Sequence, residues 1–305
     1  MTKTAIVTGS TGFIGLSLTK YLLKKGYRVF AVTRDVSQLN AIRSDRLIAV
    51  KAGFSEYKSL PNLIPNADIF YHFAWEGVYG KKAINYAVQL KNIEASCDAL
   101  IQARTIGCKK FVFIGSVSEL EIRDHLEKNV CNPRGACIYA TAKLSAEMML
   151  KTLAVQNDML FNCGLLANTI GPGDFSQRST NTIIQKMLRH ESPALVKGDG
   201  LNDWLYIDDA VRLIEAMGEK GVNLKSYYIG HRKLWPLRKT IEKARDIVAP
   251  ELKLTFGKLP DQFLTNYTYI NPQELFLDTG YKAETDFETS VRNTMIWNMK
   301  IIHMD

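Results

Sequence analysis

Three short constellations in this 305-residue chain carry residue types that can do chemistry. The first is Gly9-Ser10-Thr11-Gly12-Phe13-Ile14-Gly15, set between the apolar run Ala5-Ile6-Val7 and the helically spaced Leu16, Leu18, Tyr21 and Leu22. A strand, a glycine turn and a helix in that order form a site for a pyrophosphate. Gly9 permits the tight turn, Gly12 lets backbone approach the phosphates, and Gly15 lets helix and strand pack closely. The helix N-terminus then offers unpaired N–H groups and a partial positive charge. The second constellation is Tyr139-Ala140-Thr141-Ala142-Lys143. Its i,i+4 spacing puts a phenol and an ammonium on one helix face, and a cation near a phenol favours the phenolate, making the tyrosine a usable acid or base. The third is Gly115-Ser116-Val117-Ser118, whose hydroxyls follow the apolar run 110–114 and can hold a substrate oxygen at a strand's carboxyl end.

These groups need a scaffold that brings strand ends together. Strands are expected at 28–33, 47–51, 68–74, 110–114 and 160–166, and helices at about 81–103 and 138–155. Ile84, Ala87, Val88, Leu90 and Ile93 give the first of these helices its period. Buried strands alternating with helices predict an α/β fold, a Rossmann-type doubly wound parallel sheet. After Gly171-Pro172-Gly173 the pattern shortens. Helices near 182–188, 208–217, 237–248 and 287–299 and strands near 194–197, 204–207 and 227–229 suggest a smaller α+β substrate lobe. The expected division is therefore 1–170 for the dinucleotide domain and 171–305 for the substrate lobe, with about 203–231 returning to the first. The cleft should open outside the carboxyl ends of the strands.

Net charge is +8, which favours acidic partners, and phosphate-bearing small molecules satisfy it as well as nucleic acid does. The basic residues are spread out, so nucleic acid is not the expected partner. No apolar run approaches membrane-spanning length, and a first strand starting near Met1 leaves no room for a signal peptide. Cys97, Cys108, Cys131, Cys137 and Cys163 lack paired spacing and read as reduced thiols, so a cytoplasmic location is expected. No metal-ligand spacing is present, and no metal is expected.

Taken together, the motifs resemble those of the extended short-chain dehydrogenase/reductase family, the NAD(P)-dependent nucleotide-sugar epimerases, dehydratases and ketoreductases. The resemblance covers essentially the whole chain. It rests on TGSTGFIG at 8–15, HFAWEG at 72–77, Asn92, GSVSE at 115–119, YATAK at 139–143, NTIGPGD at 168–174, GDG at 198–200 and DWLYIDDAVR at 203–212. The wording of several motifs is similar to the branch that resembles CDP-abequose synthase. The resemblance implies Tyr139 as acid/base, Lys143 as the ribose-binding residue, and Ser116 on the reacting oxygen, with Ser118 its rival. It implies cofactor contacts at Gly9, Thr11, Gly12, Phe13, Ile14, Gly15, Thr33, Arg34, Ala74 and Asn92 besides Tyr139 and Lys143. Substrate contacts are expected at Trp75, Ser118, Asn168 and Arg178. A homodimer built on the long helices is also implied.

Departures from the family pattern sharpen the reading. Where members that prefer NAD place an acid after the second strand, this chain has Thr33 and then Arg34. A guanidinium binds a 2′-phosphate that a carboxylate would repel, so NADP(H) is expected over NAD(H). Leu165, Ile170 and Asn202 stand where Arg, Tyr and Arg are common, which leaves Arg178, Lys197 or Arg232 to meet a diphosphate. Val117 and Ser118 fill the two acid positions of a 4,6-dehydratase. His72 reads as a structural histidine, and Asp208-Asp209 as helix caps. The expected activity is reduction of a keto group on a nucleotide-linked sugar. An epimerase with retained NAD(P) is the alternative, and a non-catalytic NADP(H)-sensing or nucleic-acid-binding protein of this fold is the further one.

Overall fold

Seven apolar runs become the strands of one parallel sheet in the computed structural model, which describes residues 2–128, 133–260 and 265–302. In chain order the strands are β1 (Thr4–Thr8), β2 (Arg28–Thr33), β3 (Leu47–Lys51), β4 (Ile69–His72), β5 (Lys110–Ser116) and β6 (Leu160–Leu166). There follow β7 (Asn168–Ile170), β8 (Leu201–Asn202), β9 (Trp204–Tyr206), β10 (Ser226–Ile229) and β11 (Trp235–Pro236). The large sheet runs β10-β6-β5-β4-β1-β2-β3, while β7 pairs with β9 and β8 with β11 in two small ladders. Chain order reverses between β1 and β4, the switch point where ligands of such sheets bind. The inner strands are buried on both faces, which is why they read as continuous apolar runs, and the edge strand β3 is only partly buried.

The helices are α1 (Phe13–Lys24), α2 (Leu60–Leu63), α3 (Tyr86–Ile106), α4 (Glu119–Lys128) and α5 (Cys137–Gln156). They continue as α6 (Ser179–Leu188), α7 (Ile207–Lys220), α8 (Leu237–Val248), α9 (Glu274–Thr279) and α10 (Phe287–Ile302). One core fills both sides of the large sheet, with Leu18, Phe70, Phe111, Leu150 and Phe161 fully buried. A second, smaller core gathers Ile170, Ile184, Met187, Trp204, Ile241 and Val291 around α6, α8 and α10.

Several elements differ from the sequence pattern. The long helix starts at Tyr86 rather than near 81, because the Asn85 side chain accepts from the amides of Ala87 (3.0 Å) and Val88 (3.2 Å) and caps it there. Its inward face is polar at this end: Gln89, Asn92 and Ser96 are buried, while Ile84, Ala87 and Leu90 are exposed. The expected strand at 194–197 does not form; Leu195 is buried, but its carbonyl accepts a single backbone bond, from Leu259. Helices α4 and α9 were not expected from the pattern. Cys97, Cys108, Cys137 and Cys163 are free thiols, and Cys131 lies outside the described residues. Among the described residues, no helix is long and apolar enough to cross a membrane.

Candidate active site

The glycine turn between β1 and α1 has the shape its residues dictate. Gly9 has φ +65°, and a Cβ there would stand 2.8 Å from the Ala74 nitrogen. A Cβ at Gly15 would stand 2.3 Å from the Gly9 carbonyl oxygen, so the helix can approach the strand only without a side chain. Gly12 caps α1 with no side-chain bond, and the first turn holds no acid. This leaves backbone N–H groups and the positive end of the helix dipole uncompensated, as a bound pyrophosphate requires. Ala74 and Phe13 flank the turn: the Ala74 amide donates to Thr8 Oγ1 (3.3 Å), and Phe13 opens α1. Ile14 follows Phe13, partly buried. These residues fit a dinucleotide.

At the end of β2, Thr33 Oγ1 meets Thr11 Oγ1 at 3.2 Å, and Arg34 is exposed. The sequence reading passed over Asp35. Its carboxylate accepts from the Ser37 amide (3.0 Å), the Ser37 hydroxyl (2.6 Å) and Gln38 (3.2 Å), and is thereby turned onto its own chain. Those hydrogen bonds, Ser37 foremost, hold Asp35 below the usual carboxylate range.

The segment after β4 is held from beneath. His72 is buried, with Nδ1 2.8 Å from Thr8 Oγ1 and Nε2 3.1 Å from Ser96 Oγ. Burial, with the nearby Lys143 charge, pushes it down to about 3, so the imidazole is neutral and structural. Asn92 is fully buried: its Oδ1 accepts from the Glu76 amide (2.7 Å) and its Nδ2 donates to the Glu76 carbonyl (2.8 Å). The structure thus places Asn92 under the loop, fixing the backbone that follows Trp75. Gln89 ties the same loop, accepting from Trp75 Nε1 (2.9 Å) and donating to the carbonyls of Gly77 (2.8 Å) and Lys82 (3.1 Å). Sequence reasoning missed Gln89; its place three residues before Asn92 on one helix face was the available signal.

Tyr139, Lys143, Ser116 and Trp75 come together at the carboxyl end of β5. Lys143 Nζ donates to the Ile114 carbonyl at 2.8 Å and lies 3.8 Å and 4.7 Å from the ring centres of Trp75 and Phe113. Burial pulls the ammonium down to about 7, against the opposing pull of Glu119. The Trp75 and Tyr139 rings meet edge to face at 6.3 Å. Tyr139 is buried, and burial raises its phenol above the ordinary value, opposed by a hydrogen bond from Ser116 and by the Arg178 charge. The spacing of Tyr139 and Lys143 suggested a phenol lowered by the ammonium. Instead Lys143 is directed at Ile114 and two aromatic faces, and the phenol is held neutral. Ser116, whose Oγ also accepts from the Ser118 amide (3.2 Å), is the serine that hydrogen-bonds the phenol.

Glu119 faces inward and is fully buried, so it presents no acid to the cleft. Asn168 opens β7 opposite Trp204. Arg178 donates to Asp174 (2.7 Å), to the Thr169 carbonyl (3.2 Å) and to Ser176 (3.0 Å), and its guanidinium lies 5.4 Å from the centre of the Phe13 ring. Arg232 lies over Phe276 at 4.3 Å. Glu121, His125 and Cys137 have potential ligand atoms within 4.8 Å of one another, a grouping the spacing did not suggest. Both Glu121 oxygens, however, accept from Arg134, at 2.6 and 2.5 Å.

Comparison with known proteins agrees with the fold described above. The sequence profile described as the NAD dependent epimerase/dehydratase family matches residues 5–230. The chain is 27% identical over 247 residues to a dTDP-glucose 4,6-dehydratase of Streptomyces griseus, covering 75% of this chain and 74% of that protein. It is 27% identical over 219 residues to the dTDP-6-deoxy-L-talose 4-dehydrogenase (NAD(+)) of Aggregatibacter actinomycetemcomitans, covering 69% of this chain and 78% of that one. In fold it is similar to the Bordetella bronchiseptica enzyme WbmF in complex with NAD+ and UDP, with TM-score 0.81 and 18% identity over 99% of this chain and 93% of WbmF.

Proposed function

This chain belongs to the NAD dependent epimerase/dehydratase family, and from that membership we propose that it reduces a keto group on a nucleotide-linked deoxysugar with NADP(H). The observation that carries the reading is Tyr139, neutral and buried beside Ser116 and close to the glycine turn's end of the sheet. A neutral phenol is the form that can give a proton to an oxygen as a carbonyl becomes an alcohol. When bound, the reduced nicotinamide supplies a hydride to the carbonyl carbon. Tyr139 gives its proton to the carbonyl oxygen, and Ser116 donates a hydrogen bond to the negative charge developing there. Lys143 holds cofactor hydroxyls with its ammonium, and Trp75 keeps water from that charge. Asn168 and Arg178 are assigned to the sugar and diphosphate side. Arg34, beside an Asp35 carboxylate already engaged by Ser37 and Gln38, supports a 2′-phosphate. Of the relatives described above, the dTDP-6-deoxy-L-talose 4-dehydrogenase carries NAD(+) in its name and WbmF is seen with NAD+ bound, and Arg34 is the ground for a different preference here.

The exposed apolar residues Tyr86 and Leu90 on α3 and Met148, Met149 and Val155 on α5 support a homodimer across these two packed helices. The alternative activity, epimerisation with a retained cofactor, uses the same residues. Cofactor extraction followed by NADPH and NADH titration separates the two. Exchangeable NADPH that is oxidised in the presence of a 4-keto-6-deoxy nucleotide sugar supports the reductase. Tightly retained NAD with no net oxidation overturns it in favour of the epimerase.

A further inference from the structure

The turn that carries Ser116 is built around a carboxyl group that no part of the proposed reaction uses. Glu119 is fully buried, and its Oε1 accepts from the Ser116 amide at 2.7 Å. A Cβ at Gly115 would stand 2.4 Å from that same oxygen, so the glycine makes room for the acid. The other oxygen, Oε2, meets no N–H or hydroxyl donor, and the Glu119 carboxyl group is within hydrogen-bonding reach of the carboxyl group of Glu147 on α5. Two carboxyl groups in contact can bond only if one carries a proton, and two like charges there would repel strongly. The surroundings decide which. Glu147 is paired with Arg123 of α4 (3.2 Å) and Lys151 of α5 (2.8 Å), and it accepts from Ser226 of β10. Glu119 has the Lys143 ammonium nearby, and the Tyr139 phenol and the buried thiol of Cys163 on β6 also face the pair.

We propose that Glu119 is a positioning residue of the reaction centre, a neutral carboxylic acid that donates its proton to the Glu147 carboxylate and holds the Ser116 amide with its other oxygen. Glu147, with its cations, keeps the negative charge. The proton matters for the chemistry as well as for the geometry. An ionised Glu119 would raise the Tyr139 phenol further and would fix the charge on Lys143, whereas a neutral one leaves both groups to the cofactor and substrate. The catalytic half of this inference rests on the roles proposed for Tyr139 and Ser116; the position of the proton does not.

The test joins spectroscopy to a rescue. The infrared difference spectrum of wild type against Glu119→Gln at neutral pH should show the carbonyl stretch of a protonated acid, shifted in D2O. Glu119→Leu should lower kcat by about a hundredfold with KM little changed, since misplacing a reacting group costs about that much. Gln, which can both accept from Ser116 and donate to Glu147, should restore most of it. Absence of the band would show an ionised Glu119 and overturn the proposal, as would a Gln variant no better than Leu. The band does not depend on turnover, so a chain that shows it but reduces no keto sugar would fault the reaction proposed above and uphold the shared proton.

Discussion

The Lys143 ammonium lies 3.8 Å from the centre of the Trp75 ring, and that ring is itself fixed by its bond to Gln89. A buried cation on an aromatic face recovers part of its lost hydration, by about 2 kcal/mol when desolvated. Trp75→Leu should therefore favour neutral Lys143 and move the alkaline limb of the pH–rate profile down by about one unit. Trp75→Phe should move it less. An unshifted limb in both variants would show that the ring does not support the charge.

Tyr139→Phe keeps the edge-to-face contact with Trp75 and removes only the hydroxyl. Turnover should fall by roughly 10²–10⁴-fold while cofactor affinity stays close to wild type. Single-turnover hydride transfer and a fluorescence titration read the two separately, and unchanged turnover would remove Tyr139 from the chemistry.

Arg34 projects from the end of β2 beside an Asp35 carboxylate already occupied by Ser37. Arg34→Ala should weaken NADPH by roughly tenfold or more, the size of one lost charge-assisted hydrogen bond, and leave NADH nearly unchanged. Equal losses for both cofactors, measured by titration, would refute the phosphate contact.

His72 makes stability depend on pH. Its folded value lies near 3, below the ordinary 6.5, so the unfolded chain binds the proton more readily. Stability is complete above pH 6.5 and falls as the pH drops from there toward 3. At pH 4.5 the loss from this residue alone is on the order of 2–3 kcal/mol. Urea melts of wild type and His72→Gln at pH 7 and 4.5 check it: the variant should lose less stability between the two pH values than wild type does.

Leu90 is 59% exposed on the outer face of α3, and Met149 is 51% exposed on α5. Leu90→Arg combined with Met149→Asp should turn a dimer into a monomer in sedimentation velocity with little change in the circular dichroism of the fold. A wild type that sediments as a monomer at micromolar concentration would end the assignment.

Much of this was legible because burial on both faces writes itself into a sequence. The runs at 28–33, 47–51 and 160–166 became strands with those bounds, and Gly9, Gly12 and Gly15 marked the turn between β1 and α1. Polar groups that face inward leave no such trace. The apolar rhythm, carried into α3 by Ala87 and Leu90, pointed to its outside, while its inside is Gln89, Asn92 and Ser96, whose partners lie on other segments. Glu119 and Glu147 are 28 positions apart, and nothing in either neighbourhood announces a carboxyl pair. Asp35 was overlooked because its meaning depends on which way its oxygens turn. The apparent strand at 194–197 had the composition of one but no partner ladder.

Arg178 spans two parts of the molecule that sequence order keeps far apart. One end of its contacts is Asp174 and the Thr169 carbonyl, on the side proposed for the sugar; the other is Phe13, the first residue of α1, whose N-terminus is proposed for the pyrophosphate. A ligand on one side that moves the guanidinium would change its contact with Phe13, and so the setting of the glycine turn on the other. The two binding energies are then linked and reciprocal: the factor by which cofactor alters sugar-nucleotide affinity equals the factor by which the sugar nucleotide alters cofactor affinity. Arg178 would make the order in which the two ligands arrive a property of a single side chain.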